Sequence, residues 1–198
     1  MRLKDKVAIV TGAAQGFGEG IAKRFVAEGA KVVVADLNES GAKNVAARLG
    51  KSAVACRSDV TKAADMKSLV ELARTAFGRL DIVVNNAGTT HVNKPMLDVT
   101  EAEFDRIFAV NVKGIYLAAL HAVPIFRKQG GGVFLNIAST AGLRPRPGLT
   151  VYNSSKGAVN IMTKSMAVEF APDKIRVNAL CPVAGDTPLL ASFLGPNT

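Results

Sequence analysis

Six short apolar runs, at residues 6–10, 31–35, 52–57, 80–84, 132–138 and 175–180, alternate along this chain with stretches whose apolar residues recur at helical spacing. The runs are too short for helices and are apolar almost throughout rather than at every second residue. That is the pattern of strands buried on both faces. The stretches between them predict helices over 17–28, 39–49, 63–77, 101–126 and 153–170. Gly29, Gly50 and Gly78 stand where the first three helices must stop, and Pro172 lies just past the last. Strands alternating with helices return on the same side, and so line up in parallel. The expected fold is α/β: one domain over residues 1–198, a doubly wound parallel sheet with helices on both faces. In such sheets ligands bind at the carboxyl ends of the strands.

Composition narrows the function classes. Hydrophobic residues make up 48% and charged residues 21%, which excludes a disordered chain. The formal net charge of +9 raises nucleic acid or an anionic substrate as partners. No aromatic residues alternate with basic ones as a single-strand platform requires, so the charge reads as solvated helix faces and no nucleic-acid partner is expected. Arg144 and Arg146 form the one close basic pair near the expected site. Cys56 and Cys181 each sit alone in apolar surroundings without ligand-like neighbours, which predicts buried free thiols, no metal site and a reducing compartment. The opening apolar run is too short for a secretory segment, and no apolar stretch reads as long enough to span a bilayer. A cytoplasmic location with no membrane partner is the expectation.

The first strand ends in Thr11-Gly12-Ala13-Ala14-Gln15-Gly16-Phe17-Gly18. Glycines allow a tight turn and close approach to a pyrophosphate, while the helix that follows offers free N–H groups and a positive dipole end. Asp36 closes the second strand, where a carboxylate can accept hydrogen bonds from both hydroxyls of an adenosine ribose; its alternative role is to cap the helix that follows. A 2′-phosphate beside Asp36 would meet roughly 4 kcal/mol of repulsion per charge pair at about 4 Å and an effective dielectric near 20. Positions 15, 37 and 38 carry no Arg or Lys to offset it. NAD is therefore the expected cofactor, in preference to NADP.

Tyr152 and Lys156 lie four residues apart, one turn of helix, so both fall on one face. A free tyrosine is a poor base at neutral pH, but a neighbouring ammonium favours the phenolate. Ser139 ends the fifth strand and points into the same crevice, able to donate to a substrate oxygen. His91 reads as a surface or rim residue, and His121 as packed within the long helix.

The segments TGAAQGFG at 11–18, NNAG at 85–88, NV at 111–112, Ser139 and YNSSK at 152–156, in this order, resemble the short-chain dehydrogenase/reductase family, with its Rossmann-type fold. The resemblance runs from the first strand to about Thr187. It implies that Tyr152 is the general acid/base, that Lys156 lowers the pKa of Tyr152 and holds the nicotinamide ribose, and that Ser139 orients the substrate together with Tyr152. It implies that Asn111 kinks the long helix and holds a water in a proton relay. On the cofactor side it implies roles for Gly12, Gln15, Gly16, Phe17, Gly18, Asp36 and Leu37, and for Asp59 and Val60 at the adenine. Asn86, Ala87 and Gly88 would flank the cofactor, and the segment from Pro182 through Val183 to Thr187 would hold the carboxamide. The family usually has Pro-Gly where this chain has Pro182-Val183, and Val does not tolerate positive φ.

These features predict hydride transfer between NAD and a secondary alcohol or ketone. The alternatives are reduction of a 3-oxoacyl thioester with NADPH, against which Asp36 counts, and a non-catalytic Rossmann-fold binding protein, against which the intact Ser–Tyr–Lys–Asn set counts. Apolar residues Ala118, Ala119, Ala122 and Ile125 on the long helix, and Met162, Met166 and Phe170 on the helix of Tyr152, predict faces for a homodimer or homotetramer. Family members continue with a further helix and a seventh strand. Without these the sixth strand would be an open sheet edge, so a longer natural chain is expected.

Overall fold

The computed structural model describes residues 1–194, and the final four residues, including the Gly195–Pro196 pair, lie outside the described residues. Six strands form one sheet: β1 (Val7–Thr11), β2 (Lys31–Asp36), β3 (Ala53–Arg57), β4 (Ile82–Asn85), β5 (Gly132–Ile137) and β6 (Ile175–Leu180). Their order is β3-β2-β1-β4-β5-β6 and every pairing is parallel. The order reverses between β1 and β4, which opens a crevice at their carboxyl ends. Among the described residues β6 pairs only with β5.

The alternation within each strand sets two cores. Val7, Ile9, Val33 and Val83 face α3 (Ala63–Phe77), α5 (Gly114–Gln129) and α6 (Thr150–Glu169), whose Met66, Leu69, Ala118, Ala122, Phe126 and Val159 fill that side. Ala8, Val10, Val32 and Val34 face α1 (Gly16–Ala27) and α2 (Glu39–Leu49), meeting Ala22, Ala42 and Val45. Successive residues point to opposite faces, so only strands apolar throughout can serve both layers.

The long helix expected over 101–126 is not one α-helix. It consists of α4 (Glu101–Phe108), a π-helical turn (Ala109–Lys113) and α5, which runs on to Gln129 and stops at Gly130 in the left-handed conformation, φ +80. A capping box at Thr100 and Glu103 starts α4. The π turn inserts one extra residue that periodicity alone does not reveal. The run Glu101–Gln129 is also long and apolar enough to cross a bilayer by length and composition, which corrects the sequence expectation. Its apolar face, from Ile115 through Leu117, Ala118 and Val123 to Phe126, is buried against the sheet.

Two further expectations are corrected. His91 is not a rim residue: it is 2% exposed, with Nδ1 at 2.8 Å from the Val92 carbonyl oxygen. Ala118, Ala119, Ala122 and Met166, read as contact residues between subunits, are consumed in the core of this chain. The large apolar side chains that these helices leave exposed are Phe104, Tyr116 and Leu120 on α4 and α5, and Ile161 and Val168 on α6. Cys56 and Cys181 are free thiols, each only partly buried.

Phe126 is fully buried and meets Phe134 edge-on, ring centroids 5.2 Å apart, locking α5 to β5. Phe126→Ala is expected to cost about 3–5 kcal/mol, read by urea denaturation.

Candidate active site

The crevice at the carboxyl ends of the strands is a cleft of about 620 Å³. Its lining runs from Asp36, Leu37, Asp59 and Val60 at one end, past Gly12, Gln15, Gly16, Phe17 and the 86–88 turn, to Ser139, Tyr152 and Lys156. Pro182, Val183 and Thr187 close it from the segment after β6. Of the residues singled out in the sequence, Gly18 and Asn111 lie just behind this surface rather than on it.

At the adenosine end, the residue capping the start of α1 is Gln15, whose side chain makes no capping bond, so the first N–H groups of the helix stay free for an anion. The turn before it is held by close backbone packing. A Cβ on Gly18 would lie 2.2 Å from the Gly12 carbonyl oxygen, and one on Gly12 would lie 2.8 Å from the Ala87 Cα at a φ of +63. Asn86 ties the two strand ends together: Nδ2 donates to the carbonyl oxygens of Thr11 (2.9 Å) and Gly12 (3.0 Å). Asp36 is not the cap of α2, because Asn38 is, accepting from the Gly41 N–H. Instead the two Asp36 oxygens accept from Ala14 N–H and Asn38 N–H, each at 2.9 Å, which aims the carboxylate across the glycine turn. Asp59 Oδ1 accepts from the Thr61 N–H and hydroxyl, at 2.9 and 2.7 Å. An uncapped helix start, a turn too tight for any side chain and a pinned carboxylate fit an adenosine diphosphate moiety.

At the other end, α6 starts at Thr150, three residues earlier than its apolar spacing suggested, so Tyr152 lies in the first turn. The helix follows Gly148, whose φ of +73 reverses the chain. Lys156, one turn on, is 5% exposed and donates from Nζ to the Ile137 carbonyl oxygen at 2.7 Å. Nζ lies 5.8 Å from the centre of the Tyr152 ring. Burial brings the Lys156 ammonium down from 10.5 to about 8, which leaves it largely protonated at pH 7. Burial also pushes the Tyr152 phenol up, against a hydrogen bond with Ser139 and the nearby Arg146 guanidinium, which pull it back. Ser139 Oγ in turn accepts from the Ala141 N–H at 3.1 Å.

The π turn carries Asn111 into this cluster. Its Oδ1 accepts from the Thr89 N–H at 2.8 Å, and its Nδ2 donates to the Thr89 carbonyl oxygen and to Ser155 Oγ, both at 2.9 Å. A Cβ on Gly88 would lie 3.6 Å from both Asn111 Oδ1 and Lys156 Nζ, so the 86–88 turn, the π turn and α6 converge on one point.

Val183, where the family usually has glycine, sits without strain: among the described residues, those other than glycine with positive φ are Asp5 and Lys174. Its neighbour Pro182 is held by its carbonyl oxygen, which accepts from the Thr140 N–H at 3.1 Å. Among the described residues no group of three His, Cys, Asp or Glu side chains gathers to hold a metal ion.

The sequence reading missed Phe193, Ser155 and Asn93. Phe193, on the short α7 (Leu190–Leu194), lays its ring 5.0 Å from that of Tyr152 and lines the cleft. Ser155 links Asn111 to the Tyr152 carbonyl oxygen, to which it donates at 2.7 Å. Its place three residues after Tyr152 on the same helix was the available signal. No local pattern marks Asn93 or Phe193, since both act through contacts between distant loops.

The profile described as short chain dehydrogenase matches residues 6–195. The chain is 52% identical over 198 residues to 4-formylbenzenesulfonate dehydrogenase of Comamonas testosteroni, covering 98% of this chain and 79% of that one. The structure superposes, with a TM-score of 0.95 and 50% identity, on 3-ketoacyl-(acyl-carrier-protein) reductase from Brucella melitensis complexed with NADH, covering 97% and 81% of the two chains. It superposes with a TM-score of 0.92 and 29% identity on a short chain dehydrogenase/reductase from Burkholderia phymatum in complex with NAD, covering 97% and 70%. With almost the whole chain matched by the family model and by these relatives, this protein belongs to the short-chain dehydrogenase/reductase family of nicotinamide-dependent oxidoreductases.

Proposed function

We propose that this enzyme transfers a hydride reversibly between NAD and a secondary alcohol or ketone, with Tyr152 as general acid/base. The observation that carries the reading is the meeting of Tyr152, Ser139 and buried Lys156 at the end of a cleft whose other end presents Asp36. When bound, NAD supplies the hydride acceptor, and NADH the donor. Tyr152 Oη takes the hydroxyl proton of the alcohol, or returns one to the ketone oxygen. The Ser139 hydroxyl donates to that same oxygen and fixes its distance from Tyr152. Lys156, held by the Ile137 carbonyl, keeps a positive charge beside the phenol and so favours its deprotonated form. Asn111, through Thr89 and Ser155, holds the walls between which a relay water to Lys156 would sit. Asp36 accepts from the ribose hydroxyls and disfavours a 2′-phosphate.

A second reading, reduction of a 3-oxoacyl thioester, draws support from the 50% identity to the Brucella reductase, a protein complexed with NADH rather than NADPH. Initial rates with NAD(H) and NADP(H) against 1-phenylethanol, galactitol and acetoacetyl-coenzyme A separate the two readings. We further propose a cytoplasmic enzyme that self-associates through Phe104, Tyr116 and Leu120, or through Ile161 and Val168. Sedimentation at micromolar concentration should then give a dimer or tetramer, and a stable monomer contradicts it.

Tyr152→Phe keeps the ring and removes the transferable proton. Turnover should fall roughly 10²–10⁴-fold while NADH still binds; a variant that keeps most of its turnover refutes the mechanism. Asp36→Ser should weaken NAD binding and narrow the preference over NADP, read as the ratio of kcat/KM values for the two cofactors; a parent enzyme that prefers NADP contradicts the assignment.

The Lys156 shift has a signature in stability. Below about pH 8 the folded and unfolded chains both hold the proton, and the fold bears the full cost of a buried ammonium. Between about 8 and 10.5 the unfolded chain binds the proton more than the folded one, so stability rises with pH across that window. Without cofactor, Lys156→Met should therefore gain most over the parent below pH 8, and that gain should shrink as pH climbs toward 10.5, by urea denaturation at several pH values.

A further inference from the structure

Three loops far apart in sequence form the substrate side of the cleft: the one after β4, the one before α6 and the segment carrying α7. One residue joins them. The Asn93 N–H donates to the Ser192 carbonyl oxygen at 2.9 Å. Its Nδ2 donates to the carbonyl oxygens of Pro147 at 3.1 Å and Phe193 at 3.3 Å. The next residue repeats the tie, with the Lys94 N–H donating to the Gly148 carbonyl oxygen at 3.0 Å. The fit allows nothing larger, since a Cβ on Gly148 would lie 2.1 Å from Asn93 Oδ1. The same Gly148–Leu149 corner starts α6 and leads into Tyr152, and buried Leu149 and Ala141 pack with the Tyr152 ring and Phe193. Asn93 itself lies outside the cleft lining. It reaches Tyr152 only through what it holds.

We propose that Asn93 is a positioning residue that seats Phe193 over Tyr152, so that a single side chain sets both the substrate wall and the exclusion of water from the acid/base; the proposal rests on Tyr152 having that role. Two carbonyls, one from the loop before α6 and one from the segment carrying α7, converge on the Asn93 amide, and a third, that of Ser192, accepts from its backbone N–H. The amide is the cross-link that regular structure does not supply. Without it, Phe193 would lose its direct tie to the loop after β4, and Tyr152 would meet water.

The test needs no turnover. The chain has two tyrosines and no tryptophan. In a Tyr116→Phe background, tyrosinate absorbance near 295 nm therefore reports Tyr152 alone. The charged groups near this phenol, Lys156 on α6 and Arg146 on the preceding loop, are left in place. Asn93→Ala should move the titration midpoint down toward that of an exposed tyrosine, because burial is what holds it high. Phe193→Ala should do the same, and the double variant should go no further than Phe193→Ala. NADH affinity, read by fluorescence titration, should stay within about twofold of the parent in Asn93→Ala, since no tie made by Asn93 reaches the glycine turn. If Asn93→Ala does not fold, Gly148→Ala carries the test by displacing the amide from the other side, with the same expected shift. A midpoint unmoved by Asn93→Ala but lowered by Phe193→Ala overturns the proposal, as does an additive double variant or a parallel loss of NADH affinity. A Tyr152→Phe variant that keeps its turnover would refute the acid/base reading and leave this titration readable.

Discussion

The carboxyl ends of β1 and β4 are locked by four hydrogen bonds between Thr11-Gly12 and Asn86-Ala87: two donated by the Asn86 side chain, and one each by the N–H groups of Asn86 and Ala87 to the Thr11 hydroxyl. This lock stands where the strand order reverses, so it spans the crevice at its floor. It fixes the glycine turn against the 86–88 turn with no room for a side chain between them. The start of α1 takes its aim from that turn, and Asp36 takes its own from Ala14 within it. On the far side, Gly88 and Thr89 meet the π turn and Lys156. The glycine turn and the Ser139–Tyr152–Lys156 cluster are therefore referred to one rigid joint rather than to each other.

The two ends of the cleft are held in different ways. The cofactor end relies on backbone approach, where any added atom is refused by neighbouring main chain. The substrate end relies on side chains bridging loops: Asn93 to Pro147 and Phe193, Arg106 to Thr89 and Thr90, Asn153 to the Arg146 carbonyl. Backbone packing tolerates almost no substitution, whereas a bridging amide can be replaced at the cost of one or two hydrogen bonds, each worth roughly 0.5–1.5 kcal/mol. One framework can thus keep its cofactor while the other half of its cleft is rebuilt.

What the sequence made legible follows the same division. The strands were readable because burial on two faces leaves apolar runs, and their parallel alignment put Ser139, Asp36 and the glycine turn at the same edge of the sheet. Tyr152 and Lys156 were readable because a helix brings positions four apart together. Phe193 and Asn93 were not, since nothing local marks a contact about a hundred residues long. His91 was misread because a lone imidazole after a turn carries no periodicity to say which way it faces. The long helix was misjudged for a related reason: its apolar spacing survives the π turn, so one extra residue passes unnoticed. The alanines read as subunit contacts follow from the same ambiguity, because small residues suit a tight helix–sheet contact as well as a helix–helix one.

That extra residue places the enzyme at odds with its own secondary structure. Shortening the stretch Ala109–Lys113 by one position would let α4 and α5 join as an uninterrupted α-helix with regular hydrogen bonds. The turn would then close over one residue fewer, so α4 and α5 would keep their directions while the side chains inside the turn, Asn111 among them, were redistributed around the axis and its ties to Thr89 and Ser155 were put out of reach. Small deletions in this stretch are then a route by which helical order could be gained while the joint between the 86–88 turn, the π turn and α6 was undone, with the glycine turn and Asp36 left in place.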